Sequence, residues 1–197
     1  MIYSPLVLAL VKVVVEVALL IATILLAVKI INLVTKGFDE WKEIHKGNVA
    51  VAIYMAGMLI SVGFIVQPGI EYFLDSITLA LAGMQASQVL IAIEAGTAQL
   101  VVAFAVAIIV QYLALEMLKH IHRLMAAYNE WDEIQKGNVA AGIVMGVILA
   151  LIGTLLSSAM KSILALIRAG SSEGFIQTTL MIVSILNMMY AVSVVFF

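Results

Sequence analysis

Glu40-Trp41-Lys42-Glu43-Ile44-His45-Lys46-Gly47-Asn48-Val49-Ala50 returns later in the chain as Glu130-Trp131-Asp132-Glu133-Ile134-Gln135-Lys136-Gly137-Asn138-Val139-Ala140. The offset is constant (130 − 40 = 90), and nine of the eleven positions are identical, the exceptions being 42/132 and 45/135. The match continues outwards through Phe38/Tyr128, Ile53/Ile143, Met55/Met145 and Gly63/Gly153. A fixed-offset repeat of this kind marks a duplicated structural unit. It divides the chain into a first unit, 1–94, and a second, 95–197.

Both copies of the motif are charged islands in apolar sequence. Of 197 residues, 64% are hydrophobic and 11% charged, against about half and a quarter in a soluble domain. Such a chain in water would expose aggregating apolar patches; in lipid the conflict disappears. Segments 6–31, 49–66, 97–118, 139–156 and 175–197 each approach or exceed the roughly 20 apolar residues that cross a bilayer as a helix. Alternating strands are missing, so the backbone must satisfy itself in helices. The expected fold is all-α: a polytopic transmembrane bundle built from two tandem helix–loop–helix units, with interfacial helices and a C-terminal span.

Two segments are less clear. Residues 70–94 carry Glu71, Asp75, Gln85, Gln88 and Glu94 within an apolar frame, and 157–170 carry Lys161 and Arg168. Each reads as an interfacial helix, the longer one as interfacial or re-entrant, with a full span as the alternative. Lys36, Lys42 and Lys46 flank the first motif and Lys119, Arg123 and Lys136 the second. The bias of basic residues towards cytoplasmic loops then places both motifs in the cytoplasm. That requires an even number of spans between them and makes the units parallel; a spanning 70–94 would invert them. No basic residue precedes the first apolar run, which is too long for the core of a signal peptide, so it reads as a permanent span.

Within the motif, Phe38, Trp41 and Ile44 recur every three residues, as do Tyr128, Trp131 and Ile134. On a short helix each set forms one apolar face, suited to lie on the headgroup layer. Glu43 and Lys46, like Glu133 and Lys136, are spaced to pair. Gly47 and Gly137 suit the left-handed backbone at a helix end. Asn48 and Asn138 suit the N-cap of the next helix. One reading of the motif is therefore structural throughout. The other makes Glu40, Glu43 and Asn48, with Glu130, Glu133 and Asn138, a polar site at the cytoplasmic mouth.

After each cap come small residues, Ala52-x-x-x-Ala56 in register with Gly142-x-x-x-Gly146. Small-xxx-small faces bring membrane helices close, so the second helices of the two units are expected to pack at a pseudo-twofold axis. Lys12 and Glu16 can pair four residues apart or sit near the outer end of the first span. With Glu94 and Asn187 they are the intramembrane polar candidates, since such groups are expensive in lipid. Gln99 and Gln111 read as interhelical hydrogen bonds. His45, His120 and His122 have no metal-ligand spacing, and neither a metal nor another cofactor is expected. No cysteine is present, which removes disulfides and thiol chemistry. The net charge of −2 gives no reason to expect nucleic acid. No residue set resembles a catalytic constellation, so an enzyme is not expected.

The residues Glu43, Gly47, Asn48 and Ala50, repeated as Glu133, Gly137, Asn138 and Ala140, resemble the motif of the YjfL-like inner-membrane family, domain of unknown function three-fifty. The resemblance implies two tandem two-helix units in a prokaryotic cytoplasmic membrane, and no substrate. The segments 70–94 and 175–197 are additions to the simplest four-span pattern. Expected partners are membrane lipids, further copies of the chain, and another membrane or cytoplasmic protein. The functional expectation is an oligomeric structural or accessory membrane component, with a small channel or transporter for an ion or small solute as the alternative.

Overall fold

In a computed structural model of the chain, residues 5–34, 39–81, 86–125 and 130–168 are described. They form six helices: α1 (Pro5–Val34), α2 (Glu40–His45), α3 (Val49–Leu81), α4 (Ala86–Met125), α5 (Glu130–Gln135) and α6 (Val139–Arg168). The long helices α1, α3, α4 and α6 are each long and apolar enough to cross a membrane. The protein is a multi-pass membrane protein. Both short helices are the motif, EWKEIH and EWDEIQ.

Helix α3 is the hub. It packs along α6 and α4, and α1 lies against it. The chain leaves the first motif along α3 and returns to the second along α4, so both motifs sit at one end of the bundle. Helices α3 and α6 both start there and run parallel. Glycine allows their close approach: a Cβ at Gly142 would lie 2.5 Å from the Ala50 carbonyl oxygen, and one at Gly153 would lie 2.5 Å from Ser61 Cα. Gly57 and Gly146 meet backbone to backbone. On the other side of α3, a Cβ at Gly69 would lie 2.5 Å from Ala103 Cβ of α4. Close backbone approach maximises dispersion contact where lipid offers no hydrophobic driving force.

Residues 70–94 do not form a separate interfacial or re-entrant helix. Helix α3 continues through Pro68 to Leu81, and α4 begins at Ala86. Two of the charges that suggested a break, Glu71 and Asp75, are met by neighbouring helices instead. Glu71 lies 3.6 Å from Lys161 of α6 and accepts from Gln67 at 2.8 Å; Asp75 lies 4.0 Å from Lys12 of α1. These groups mark a level. Glu71 is 71 − 49 = 22 residues into α3, Lys161 is 161 − 139 = 22 into α6, and Lys12 is 34 − 12 = 22 from the end of α1. At ~1.5 Å per residue all three lie about 33 Å from the motif end, close to the ~30 Å thickness of a bilayer core. The ion pairs therefore share one level of the bundle, far from the motif end. Residues 157–168 likewise continue α6 rather than forming an interfacial helix of their own. The C-terminal span 175–197 lies outside the described residues.

Candidate functional site: the paired motif loops

The local geometry of the two loops is the same. Helix α2 is opened by Asp39, whose Oδ1 accepts from Lys42 N at 3.0 Å. It is closed by Gly47 at φ +87°, and α5 by Gly137 at φ +90°, a region an L side chain enters only with strain. Gly47 N donates to Ile44 O at 2.9 Å and Asn48 N to Glu43 O at 3.0 Å. Gly137 and Asn138 repeat the pair on Ile134 O and Glu133 O, at 3.0 and 2.9 Å. Both pairs are the crossed bonds of a Schellman stop, which satisfies carbonyls the helix leaves open. Each asparagine then starts the next helix: Asn48 Oδ1 accepts from Val51 N at 3.2 Å, and Asn138 Oδ1 from Ala140 N at 3.1 Å. The expected ion pairs are present, Lys46–Glu43 at 2.6 Å and Lys136–Glu133 at 2.9 Å.

The loops touch. Asn48 Nδ2 donates to Ile134 O at 3.1 Å and to Gln135 O at 3.0 Å, across the repeat boundary. Trp131 meets Tyr54 of α3 edge-on, with ring centroids 5.1 Å apart at 70°. Ile134 is fully buried in the same cluster as Tyr54, Ile31 and Leu149. Helix α5 is thus seated on the bundle rather than laid on a lipid surface. Trp41, its counterpart in α2, is 44% exposed and remains free to take the headgroup position. Asn138 Nδ2 donates to Glu133 Oε2 of its own loop at 3.2 Å. Phe38 and Tyr128, and the side chain of Glu130, lie outside the described residues.

Glu40 is the exception to this pattern of pairing. It is 1% exposed, and neither carboxylate oxygen has a hydrogen-bond partner. A second buried polar locus lies deeper: Ser61 Oγ of α3 donates to Gln111 Oε1 of α4 at 3.1 Å, both side chains being fully buried, and Gln111 Nε2 is unpartnered. Gly153 of α6 closes over Ser61, so three helices converge there. The expectation for Gln111 as an interhelical hydrogen bond is met. Ser61 went unread because one serine in an apolar helix carries no pattern.

The remaining candidates do not join this site. Lys12 pairs across to Asp75, not along its helix to Glu16, which is exposed, as is Glu94. Asn187 lies outside the described residues. Ala56 is exposed and Ala52 partly buried, so the α3 side of the α3–α6 contact is Ala50, Ile53, Gly57 and Ser61, with only Gly142 and Gly146 on the expected face. The pseudo-twofold pairing of Ala52/Ala56 with Gly142/Gly146 is therefore replaced by an offset one. Gly57 admits the α6 backbone more closely than an alanine would. His45 Nδ1 lies 3.1 Å from Trp41 O. Among the described residues no group of three His, Asp or Glu could hold a metal ion.

No curated protein and no solved structure matches the chain. One family model does, twice in tandem, over residues 5–98 and 93–197. Each match contains one copy of the motif and most or all of the long helix on either side of it. The chain belongs to the family described as Domain of Unknown Function (DUF350), of which it carries two consecutive copies.

Proposed function

We propose that this protein is a structural or accessory component of its membrane that works as a homo-oligomer and catalyses no reaction. The observation that carries the reading is where the motif's polar groups go. Asn48 ties the first repeat to the backbone of the second, Asn138, Glu133 and Lys136 bond within their own loop, and the glycines shape the stops. The duplicated residues serve assembly of the bundle end rather than a shared open site. The basic residues beside both loops support a motif end in the cytoplasm, and the resemblance of the motif supports a prokaryotic cytoplasmic membrane. The test is the subunit number in lipid nanodiscs by native mass spectrometry. Oligomers with bound lipid are the expected result; a strict monomer with no co-purifying protein sinks the reading.

A small channel or transporter is the second reading. It is favoured by the buried, incompletely partnered polar groups Glu40 and Gln111, because polar groups inside a membrane bundle often line pathways. Flux of an ion or small solute in liposomes that weakens in Gln111→Leu would support it, and liposomes that stay tight would remove it.

A further inference from the structure

Gln111 reaches across from α4 to α3 and is used there only in part. Its Oε1 accepts from Ser61 Oγ at 3.1 Å, and its Nε2 meets no acceptor, although both side chains are fully buried. A clasp between two helices needs only one end of an amide. Buried polar groups in folded proteins are nonetheless bonded, to protein or to ordered water. Turning the amide over would let Nε2 donate to Ser61 and would leave the carbonyl end unmet instead. Either way the side chain calls for one more partner, and Ser61 Oγ keeps a lone pair for it.

We propose that Ser61 and Gln111 hold a water molecule between α3, α4 and α6. The chemistry of the surroundings selects it. Residues 49–70, 95–115 and 139–160, which bring the three helices past this point, carry no Asp, Glu, Lys, Arg or His. An ion here would exchange its hydration for a hydroxyl and one amide, and an uncompensated buried charge is expensive. A neutral molecule avoids that cost. It must also be able to accept from an N–H and to donate to an oxygen, whichever way the amide lies. Water does both and is small. Size matters because the helices are close: a Cβ at Gly153 of α6 would lie 2.8 Å from Ser61 Oγ. Ser61 stands 61 − 49 = 12 residues into α3, about 18 Å along its axis. The water is therefore an internal one, part of the fold through its bonds to two helices. The site holds under either functional reading. One consequence rests on the channel reading alone: the solute passing Gln111 would be small and neutral rather than an ion.

The test is magnetisation transfer from water, measured by NMR on the full chain, deuterated and embedded in lipid nanodiscs. The side-chain amide of Gln111 is assigned through its own backbone, so no variant is needed to find it. The backbone amides of Ala103 and Ala107, on the same helix and equally buried, report the dry interior. The expected result is transfer to the Gln111 side chain several-fold faster than to those two amides. Transfer no faster than theirs overturns the proposal. The Ser61 hydroxyl is able to relay magnetisation by itself, so Ser61→Ala is the second sample. Fast transfer that persists there comes from a bound molecule. Transfer that disappears there came through the hydroxyl and overturns the proposal as well. Solute flux is measured separately: liposomes that stay tight while water transfer is intact remove the channel reading and leave the site.

Discussion

The two motif loops differ at two of eleven positions, and their backbones agree in every local respect, yet their surroundings are unlike. Helix α5 places Trp131 on Tyr54 and buries Ile134 completely, while α2 leaves Trp41 nearly half exposed and Ile44 only partly covered. The difference does not originate in the loops. It originates in the other repeat, in what each loop finds beside it. Position 54 is tyrosine and buried, whereas its counterpart 144 is valine and open. Because the contact of α6 with α3 is not reciprocal, the second loop falls over the first repeat, and nothing among the described residues falls over Trp41 in the same way. Identical sequence thus takes two roles, one as an internal seal and one as a free surface.

The comparison can be broken or sharpened by substituting the same position in both repeats and measuring unfolding free energy in detergent. The largest contrast is at the glycines. Gly153→Leu forces a side chain into Ser61 backbone, so it should cost about 3 kcal/mol, the upper part of the range for overpacking. Gly63→Leu, at the equivalent but open place, should change little; equal losses would mean the repeats pack reciprocally after all. Next are the tryptophans. Trp131→Ala removes a partly buried ring and its edge contact and should cost about 2 kcal/mol, while Trp41→Ala should cost less than about 0.5 kcal/mol in the isolated chain.

The turn glycines should show no contrast. Gly47→Ala and Gly137→Ala each place a Cβ on a left-handed backbone and should cost about 1 kcal/mol, equally in both loops; unequal losses would mean that the tertiary setting reaches into the turn. The smallest effect is expected at the polar pair. Ser61→Ala should cost about 0.6 kcal/mol, the average for interhelical hydrogen bonds in membranes, and less if Gln111 finds another donor.

The fate of particular residues shows which kinds of information the chain carries. Gly47, Asn48, Lys46 and Glu43 were legible, because a stop, a cap and a short ion pair each depend on residues within five positions of one another. The four long helices were legible from apolar length. Residues 70–94 were misread because Glu71 and Asp75 looked like solvated charges. Their partners Lys161 and Lys12 lie 90 and 63 positions away (161 − 71 and 75 − 12), and no local rule anticipates them. Glu40 looked like another loop carboxylate, and only the closure of the bundle end buried it.

By itself the sequence determined the membrane as solvent, the duplication, the presence of the four long helices and the local chemistry of both turns. The tertiary structure alone decided which face of α3 meets which face of α6, which tryptophan is covered and which polar groups are buried. The reason lies in the solvent. In water a helix marks its buried side by apolarity, but in lipid the side facing a neighbour and the side facing acyl chains are both apolar. Polarity then no longer encodes orientation. Shape does, through glycines such as 57, 142 and 153, and shape acts only when two backbones come together.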